Sequence, residues 1–382
     1  MQNTTPLQSS QEPLNALATQ LGDSLMRRYG VRISASEVVE MLAESVQAGL
    51  TASQVQQAQA VAGASVPGSV EDIVRIARDE GVIFRAVTCE GQTRLEKFTA
   101  SNPESVEVLG TFSAPIVRQL SLLTGTEFPE NVRFSTVVQL SDGSTALLKV
   151  ENRPRPVRGD DYVVHQYTVS AAPAKAPALA LDQLGITQVR HWREATSCAG
   201  LSLILGTGVR TTLRATADEL LKEGLKVVWV AAAAPDADLS KLNADVLVFE
   251  RALREPRAAC LALKAAQNTI VLASCLLPEA SQAVDFLIRC AGEGNGDNVA
   301  SSLNATLRQQ LFAGVPDNDG AVVAPVLATE CIAYFDTSAP FDLMNGELDA
   351  RWLVIDVAEK VRAGLIDEDV ARDRFDELDV YL

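Results

Sequence analysis

From Leu181 onward the chain alternates short apolar runs with helical stretches, and that alternation restricts the fold more than any other feature. Leu201 to Leu205 is apolar, Thr211 to Glu223 has helical spacing, and Lys226-Val227-Val228-Trp229-Val230-Ala231 reads as the next buried strand. Asp245-Val246-Leu247-Val248-Phe249 follows as a third strand, Pro256 to Ala266 as a helix, and Thr269-Ile270-Val271-Leu272-Ala273-Ser274 as a fourth strand. Strands that are apolar throughout must be covered on both faces, and strands joined through helices run parallel. The expectation is an α/β fold with a parallel-rich sheet.

Upstream the grammar changes. The first dozen residues are polar and read as a disordered lead-in. Helical patterning starts near Leu14; Ser34-x-x-Glu37 is a capping box ahead of Val38, Val39, Leu42 and Val46, Gly49 falls at the stop, and Thr51-x-x-Gln54 opens another helix. Residues 1–66 therefore form a small helical module, closed by a linker at Gly63 to Ser69. Residues 67–175 mix a helix at Glu71 to Asp79, a strand at Val82 to Thr88, a helix at Ser113 to Leu123, and strands at Val132 to Val138 and Thr145 to Val150. Ser141-Asp142-Gly143 between the last two is a hairpin signal, which makes this an α+β segment. Ala171 to Ala180, rich in Ala and Pro, reads as a second linker into residues 176–382. The tail from Leu348 to Leu382 is helical and broken at Gly364.

Composition narrows the function classes. The chain has 382 residues, 47% hydrophobic and 21% charged, with a formal charge of −16. So acidic a surface repels nucleic acid, and Arg153, Arg155 and Arg158 around their prolines read as a solvated loop. The six cysteines are scattered without a CxxC pair and read as buried free thiols in a reducing compartment. His165 and His191 have no second ligand at metal-binding spacing, so no metal site is expected, and each reads as a polar residue at a strand end or loop. The N-terminal residues lack a basic segment followed by an apolar run, and no stretch is long and apolar enough to span a bilayer, so a cytoplasmic location is expected.

The chemistry-bearing feature is Gly200-Leu201-Ser202-Leu203-Ile204-Leu205-Gly206-Thr207-Gly208-Val209-Arg210-Thr211-Thr212-Leu213, a strand, glycine loop and helix start. In a working phosphate loop, glycines let backbone N–H groups wrap the phosphates, a lysine reaches the β- and γ-phosphates, and the next hydroxyl holds Mg²⁺. Here Gly206 and Gly208 stand in place, but the lysine position reads Val209 and the hydroxyl position Arg210. The loop is also several residues short. A guanidinium on a longer stem is no geometric substitute for the ammonium. Glu250, ending the strand Val246 to Phe249, is the one acid placed to hold Mg²⁺ or polarise a water, and it equally fits a solvated strand end.

These segments, in this order, resemble the secretion ATPases of type II secretion and type IV pilus machines. The resemblance runs from Ser113 to Tyr334. Pro115 to Leu123, Arg133 to Val150 and Val157-Arg158-Gly159-Asp160 look like the end of the family's N-terminal domain, and Leu179 to Ile186 like the entry to its ATPase domain. Gly200 to Leu213 looks like the Walker A segment, and Asp245 to Pro256 like Walker B, with Phe249 for the glycine, Glu250 kept, and Arg254-Glu255-Pro256 echoing Arg-Asp-Pro. The resemblance implies a RecA-like C-terminal domain, a PAS-like α+β domain before it, and the helical module at the front.

The departures fall on chemistry. The acidic box reads Ala231-Ala232-Ala233-Ala234-Pro235-Asp236, with Asp236 and Asp238 as doubtful substitutes. The interval to Glu250 is too short for the segment that supplies arginines, and the histidine box reads Ser274-Cys275-Leu276-Leu277-Pro278. What the resemblance implies is therefore a catalytically inactive relative of a secretion or pilus motor, an assembly or regulatory component without a cofactor. Gly206, Thr207, Gly208, Val209, Arg210, Thr211 and Thr212 would be the remnant of its nucleotide site. Its partners would be machine components, such as an active motor ATPase or an inner-membrane platform protein that brings it to the membrane, with homo- or hetero-oligomers open. The alternative is an ATPase that binds ATP and Mg²⁺ through Arg210 and Glu250.

Overall fold

The computed structural model describes residues 67, 69–89, 92–112, 116–156, 163–174, 179–292, 294–315, 324–334, 339–345 and 352–382. The helical module over 1–66 and the turn at Val157 to Asp160 lie outside the described residues. Two compact units divide the chain, 1–120 with 155–170, and 121–154 with 171–382.

In the first unit, helix α1 (Val70–Glu80) is started by Ser69, whose hydroxyl accepts from the Asp72 N–H while the Asp72 carboxylate accepts from the Ser69 N–H. It ends at Gly81, whose φ of 66° a side chain would resist. Strands β1 (Val82–Cys89), β2 (Gln92–Thr99) and β3 (Asn102–Phe112) form an antiparallel meander. The sequence pattern marks only β1, because β2 and β3 are too charged to read as strands: Arg94, Glu96, Lys97, Glu104 and Glu107 lie on them. Glu96 is buried but held by Arg85 and Arg94, so its charge does not stand alone. Strand β6 (Val163–Pro173) pairs antiparallel with β1 and runs three residues into the stretch whose composition suggests a linker. Ala is tolerated in a strand, and Pro173 sits at its end, where no ladder donor is needed.

The second unit is built on a parallel core. Helix α2 (Ile116–Thr124) leads to β4 (Val132–Gln139) and β5 (Thr145–Pro156), and α3 (Val189–Thr196) precedes β7 (Gly200–Gly206) and α4 (Val209–Lys222). Then follow β8 (Val227–Ala233), β9 (Val246–Phe249), α5 (Pro256–Ala266), β10 (Ile270–Cys275), α6 (Ala280–Ala291), α7 (Gly296–Ser302), β11 (Leu303–Phe312) and β12 (Val326–Ala333). Strands β11, β7, β10, β9 and β8 lie side by side in that order, all parallel. All residues of β9 and β10 are buried, as the unbroken apolar runs require. This is the parallel-rich α/β sheet that the alternation predicts.

Each flank of this core carries an antiparallel pair: β12 beside β11, and the β4–β5 hairpin beside β8. The sequence groups the hairpin with the α+β segment; in the structure β4 bonds directly to β8, Thr136 opposite Val228 and Ser135 opposite Trp229. The hairpin turn is as expected, with the Gly143 N–H donating to the Leu140 carbonyl. Helices α8 (Ala339–Met344), α9 (Trp352–Arg362) and α10 (Glu368–Arg372) complete the chain, with Gly364 in the left-handed region between the last two.

The fully buried Trp192 of α3 anchors the core under α4: its indole N–H donates to Thr216 Oγ1 at 3.0 Å, and that hydroxyl donates to the Thr212 carbonyl. His191, expected at a strand end or loop, stands instead on the exposed side of α3, because Trp192, Ala195 and Thr196 take its inward face. The thiols also differ from expectation. Cys275 is buried, but Cys198 and Cys260 are exposed, one in the turn after α3 and one on the side of α5 opposite Ala259 and Leu263.

Candidate functional site

Only Thr207 and Gly208 separate β7 from α4. Gly206 has φ 92° and Gly208 φ 74°, so both need the left-handed region. At Gly206 a Cβ would stand 2.0 Å from the carbonyl oxygen of Gln309, so this glycine permits a close approach of two backbones. The approach is used: the Thr207 N–H donates to that carbonyl at 3.1 Å, and the Leu311 N–H donates to Thr207 Oγ1 at 2.8 Å.

Gln309, 1% exposed, completes the clasp. Its side-chain N–H donates to the Thr207 carbonyl at 2.5 Å, and its Oε1 accepts from Thr212 Oγ1 at 2.8 Å. The N–H, carbonyl and hydroxyl of Thr207 are therefore all engaged with β11. A phosphate cradle needs several N–H groups converging on an anion. In this turn the Thr207 N–H is already spent on the Gln309 carbonyl.

The remaining residues of the stretch divide. Val209 is half-buried against the core under α4, and the Thr211 N–H closes the first helical turn on the Gly208 carbonyl at 3.0 Å. Thr212 is buried and turned to Gln309, whereas Arg210 is exposed, without a side-chain hydrogen bond or ion pair among the described residues. Glu250 is exposed just after β9; Ser135 Oγ donates to it at 3.4 Å and its N–H donates to the Val230 carbonyl. Arg210 and Glu250 do not touch the same partner but border one open cavity of about 780 Å³.

The other segments carry structural work. Asp238 caps the turn Leu239–Leu242, and the Ser240 hydrogen bonds hold its carboxyl below the usual range. Cys275, in the histidine-box position, is buried, which pushes its thiol pKa up. Among the described residues no three His, Cys, Asp or Glu side chains form a metal-holding group, and no helix is long and apolar enough to cross a membrane. Sequence reasoning missed Gln309, and nothing in Leu307-Arg308-Gln309-Gln310 signals a residue that closes a loop about a hundred positions upstream.

The site and sheet define the class: an α/β domain with a parallel core and a glycine-bearing turn between a central strand and its helix. Solved structures similar to the chain include the ATPase DotB of Legionella pneumophila, at 12% identity over 79% of this chain and 94% of that one, TM-score 0.42. They also include the ATPase DotB of Yersinia pseudotuberculosis, at 12% identity over 81% and 95%, TM-score 0.39. A third is the pilus retraction motor PilT with bound ADP, at 14% identity over 80% and 96%, TM-score 0.38. No protein-family model matches the chain, and no curated protein does.

Proposed function

We propose that this protein is a catalytically inactive counterpart of a secretion or pilus motor ATPase. It serves as a structural, assembly or regulatory component of a type II secretion or type IV pilus-like machine. The family part of the reading rests on the ordered motifs from Ser113 to Tyr334. The inactivity rests on one observation above all: the glycine turn is two residues long and the polar groups of its Thr207 are engaged by Gln309 and Leu311. The lost lysine, metal hydroxyl and acidic box agree with it. The protein acts by contact rather than by turnover, and its partners are machine components such as an active motor or a membrane platform protein.

The test is hydrolysis of ATP with Mg²⁺ by the purified full chain, alongside capture from its native cell. No turnover above buffer is expected, and an intact motor ATPase or platform protein is expected among the captured partners. Turnover that Glu250→Gln removes would overturn the inactive reading in favour of an ATPase working through Arg210 and Glu250.

A further inference from the structure

We infer that the cavity beside α4 is a binding site for a small organic polyanion, a flat or chain-like apolar body carrying a phosphate-type group at one end. The inference is independent of the glycine turn and of any turnover. Its walls are one side of the β4–β5 hairpin, part of β8, one side of α4, the residues just after β9, and Ala172 to Ala174 at the end of β6, all of which fall in the second unit. On the hairpin, Ala146, Leu148 and Val150 are buried on the far face, which leaves Thr145, Leu147 and Lys149 on the cavity side. Pairing aligns them in rows, Leu147 opposite Val137, and Lys149 opposite Ser135, which in turn lies opposite Trp229. From α4 come Leu213, Ala217 and Leu221, one helical stripe.

The cavity is polarised. Its apolar part is formed by Val137, Leu147, Leu213, Leu221 and the half-buried Trp229. Arg210 stands at the N-terminus of α4, Arg251 follows the end of β9, and Arg133 pairs with Ala232 at the end of β8, so three guanidinium groups gather at the carboxyl ends of the parallel strands. Lys149 and Arg214 add two more cations, against the carboxylates of Glu250 and Asp218, in a chain of charge −16. Arg214 is paired with Asp218 at 3.7 Å. Among the described residues, the side chains of Arg133, Lys149, Arg210 and Arg251 have no hydrogen-bond or ion-pair partner.

Four unpartnered cations around one opening, on an acidic protein, repel one another unless an anion joins them. The volume of about 780 Å³ lies within the range of small-molecule sites, and an apolar interior with a few charged groups at one end is how such sites fix orientation. Trp229 offers a face to a flat or aliphatic body, and the guanidinium groups offer forks to phosphate oxygens.

The experiment titrates the full chain with 1-naphthyl phosphate, reading heat by calorimetry and the fluorescence of Trp229 against a Trp229→Phe control. The uncharged 2-naphthol is expected to bind at least tenfold more weakly. Arg133→Gln with Arg210→Gln is expected to weaken the phosphate at least tenfold, while Arg257→Gln, outside the cavity, leaves it unchanged; circular dichroism checks that each variant is folded. Competition with Mg²⁺-free ADP and with octyl phosphate separates the sources: displacement by ADP identifies a nucleotide-like ligand, displacement by octyl phosphate a lipid-like one. Equal binding of 2-naphthol, unaltered affinity in the double variant, or displacement by neither competitor would overturn the inference. ATP turnover is a separate readout, so failure here leaves the proposed function standing, and the reverse.

Discussion

The two flanks of the parallel core differ in what their long charged side chains meet. On the β11–β12 flank polar and charged side chains are spent inside the protein: Gln309 clasps the glycine turn, Arg308 reaches Glu279 and Glu330, and the buried Asp356 of α9 accepts from the Thr329 N–H and pairs with Lys360. On the β4–β5 flank, Arg133 and Lys149 face an opening with no partner. A buried polar group without a partner costs free energy, so a network in which nearly all such groups are engaged, Glu330 Oε2 excepted, reads as architecture, while a cluster of unanswered charges reads as a place for something else. The phosphate-like motif thus lies on the architectural side, and the unassigned chemistry on the other.

The largest expected effect comes from breaking the clasp at its tightest point. Gly206→Ala places a Cβ against the Gln309 carbonyl at positive φ, and should cost about 3 kcal/mol or more. Gly224→Ala is the control: its φ is 90°, but a Cβ there meets nothing within 4 Å, so about 1 kcal/mol is expected. Urea denaturation of the two variants separates close approach from backbone strain. If they lose equally, the approach of β7 to β11 carries no weight.

Gln309→Leu should come next. It removes one donor and one acceptor and strands the Thr212 hydroxyl and the Thr207 carbonyl, a loss of about 1–3 kcal/mol. The same substitution bears on function. Opening the turn should produce no affinity for ATP with Mg²⁺, since neither lysine nor metal hydroxyl stands at Val209 and Arg210. Affinity gained by this variant would show that Gln309 alone blocks the site.

These residues also show how far the sequence could be read. The unbroken runs at Leu201–Leu205 and Ile270–Ser274 specify buried parallel strands, because every position must satisfy a covered face. The glycines at 206 and 208 mark the turn, because only such residues accept its φ values. Gln309 carries no such mark: its partners are set by the register of β11 against β7, a long-range pairing that local pattern does not encode. The cavity is silent for the same reason. Arg133, Lys149, Arg210 and Arg251 come from four separate elements, and each looks alone like an ordinary surface cation. The α+β grouping of the hairpin followed chain order, whereas β4 took its partner from β8, far along the sequence.

A smaller effect should sharpen the β11–β12 side, where Glu330 Oε2 is buried without a hydrogen-bond partner. Glu330, 1% exposed, has its carboxyl pushed up to about 7 by burial, against the pull of Arg308 at 3.8 Å and the Leu353 N–H. The folded protein therefore holds this proton over a range where the unfolded chain has released it. Stability falls as pH rises from about 4.5 towards 7 and is level above that, as far as this group is concerned. Glu330→Gln should flatten that slope and add about 1–2 kcal/mol above pH 7, because Arg308 keeps its bond to Glu279. Thermal melts at pH 5, 6 and 7.5 would show it, and an unchanged slope would mean that Arg308 already neutralises the pair.

The smallest effect is the most telling for the open flank. If Arg210 and Arg251 were structural, replacing either with Gln would lower stability. With no partner to lose and like charges nearby, Arg251→Gln should instead leave stability unchanged or raise it by about 0.5 kcal/mol at low ionic strength. In ~0.5 M salt the gain should vanish, because screening already relieves the repulsion. Melting temperatures at two salt concentrations decide it. A salt-independent loss would place Arg251 within the architecture and remove one wall of the contrast between the flanks. A salt-sensitive gain would mean that the cations are held together at a cost in stability, which a bound anion would offset.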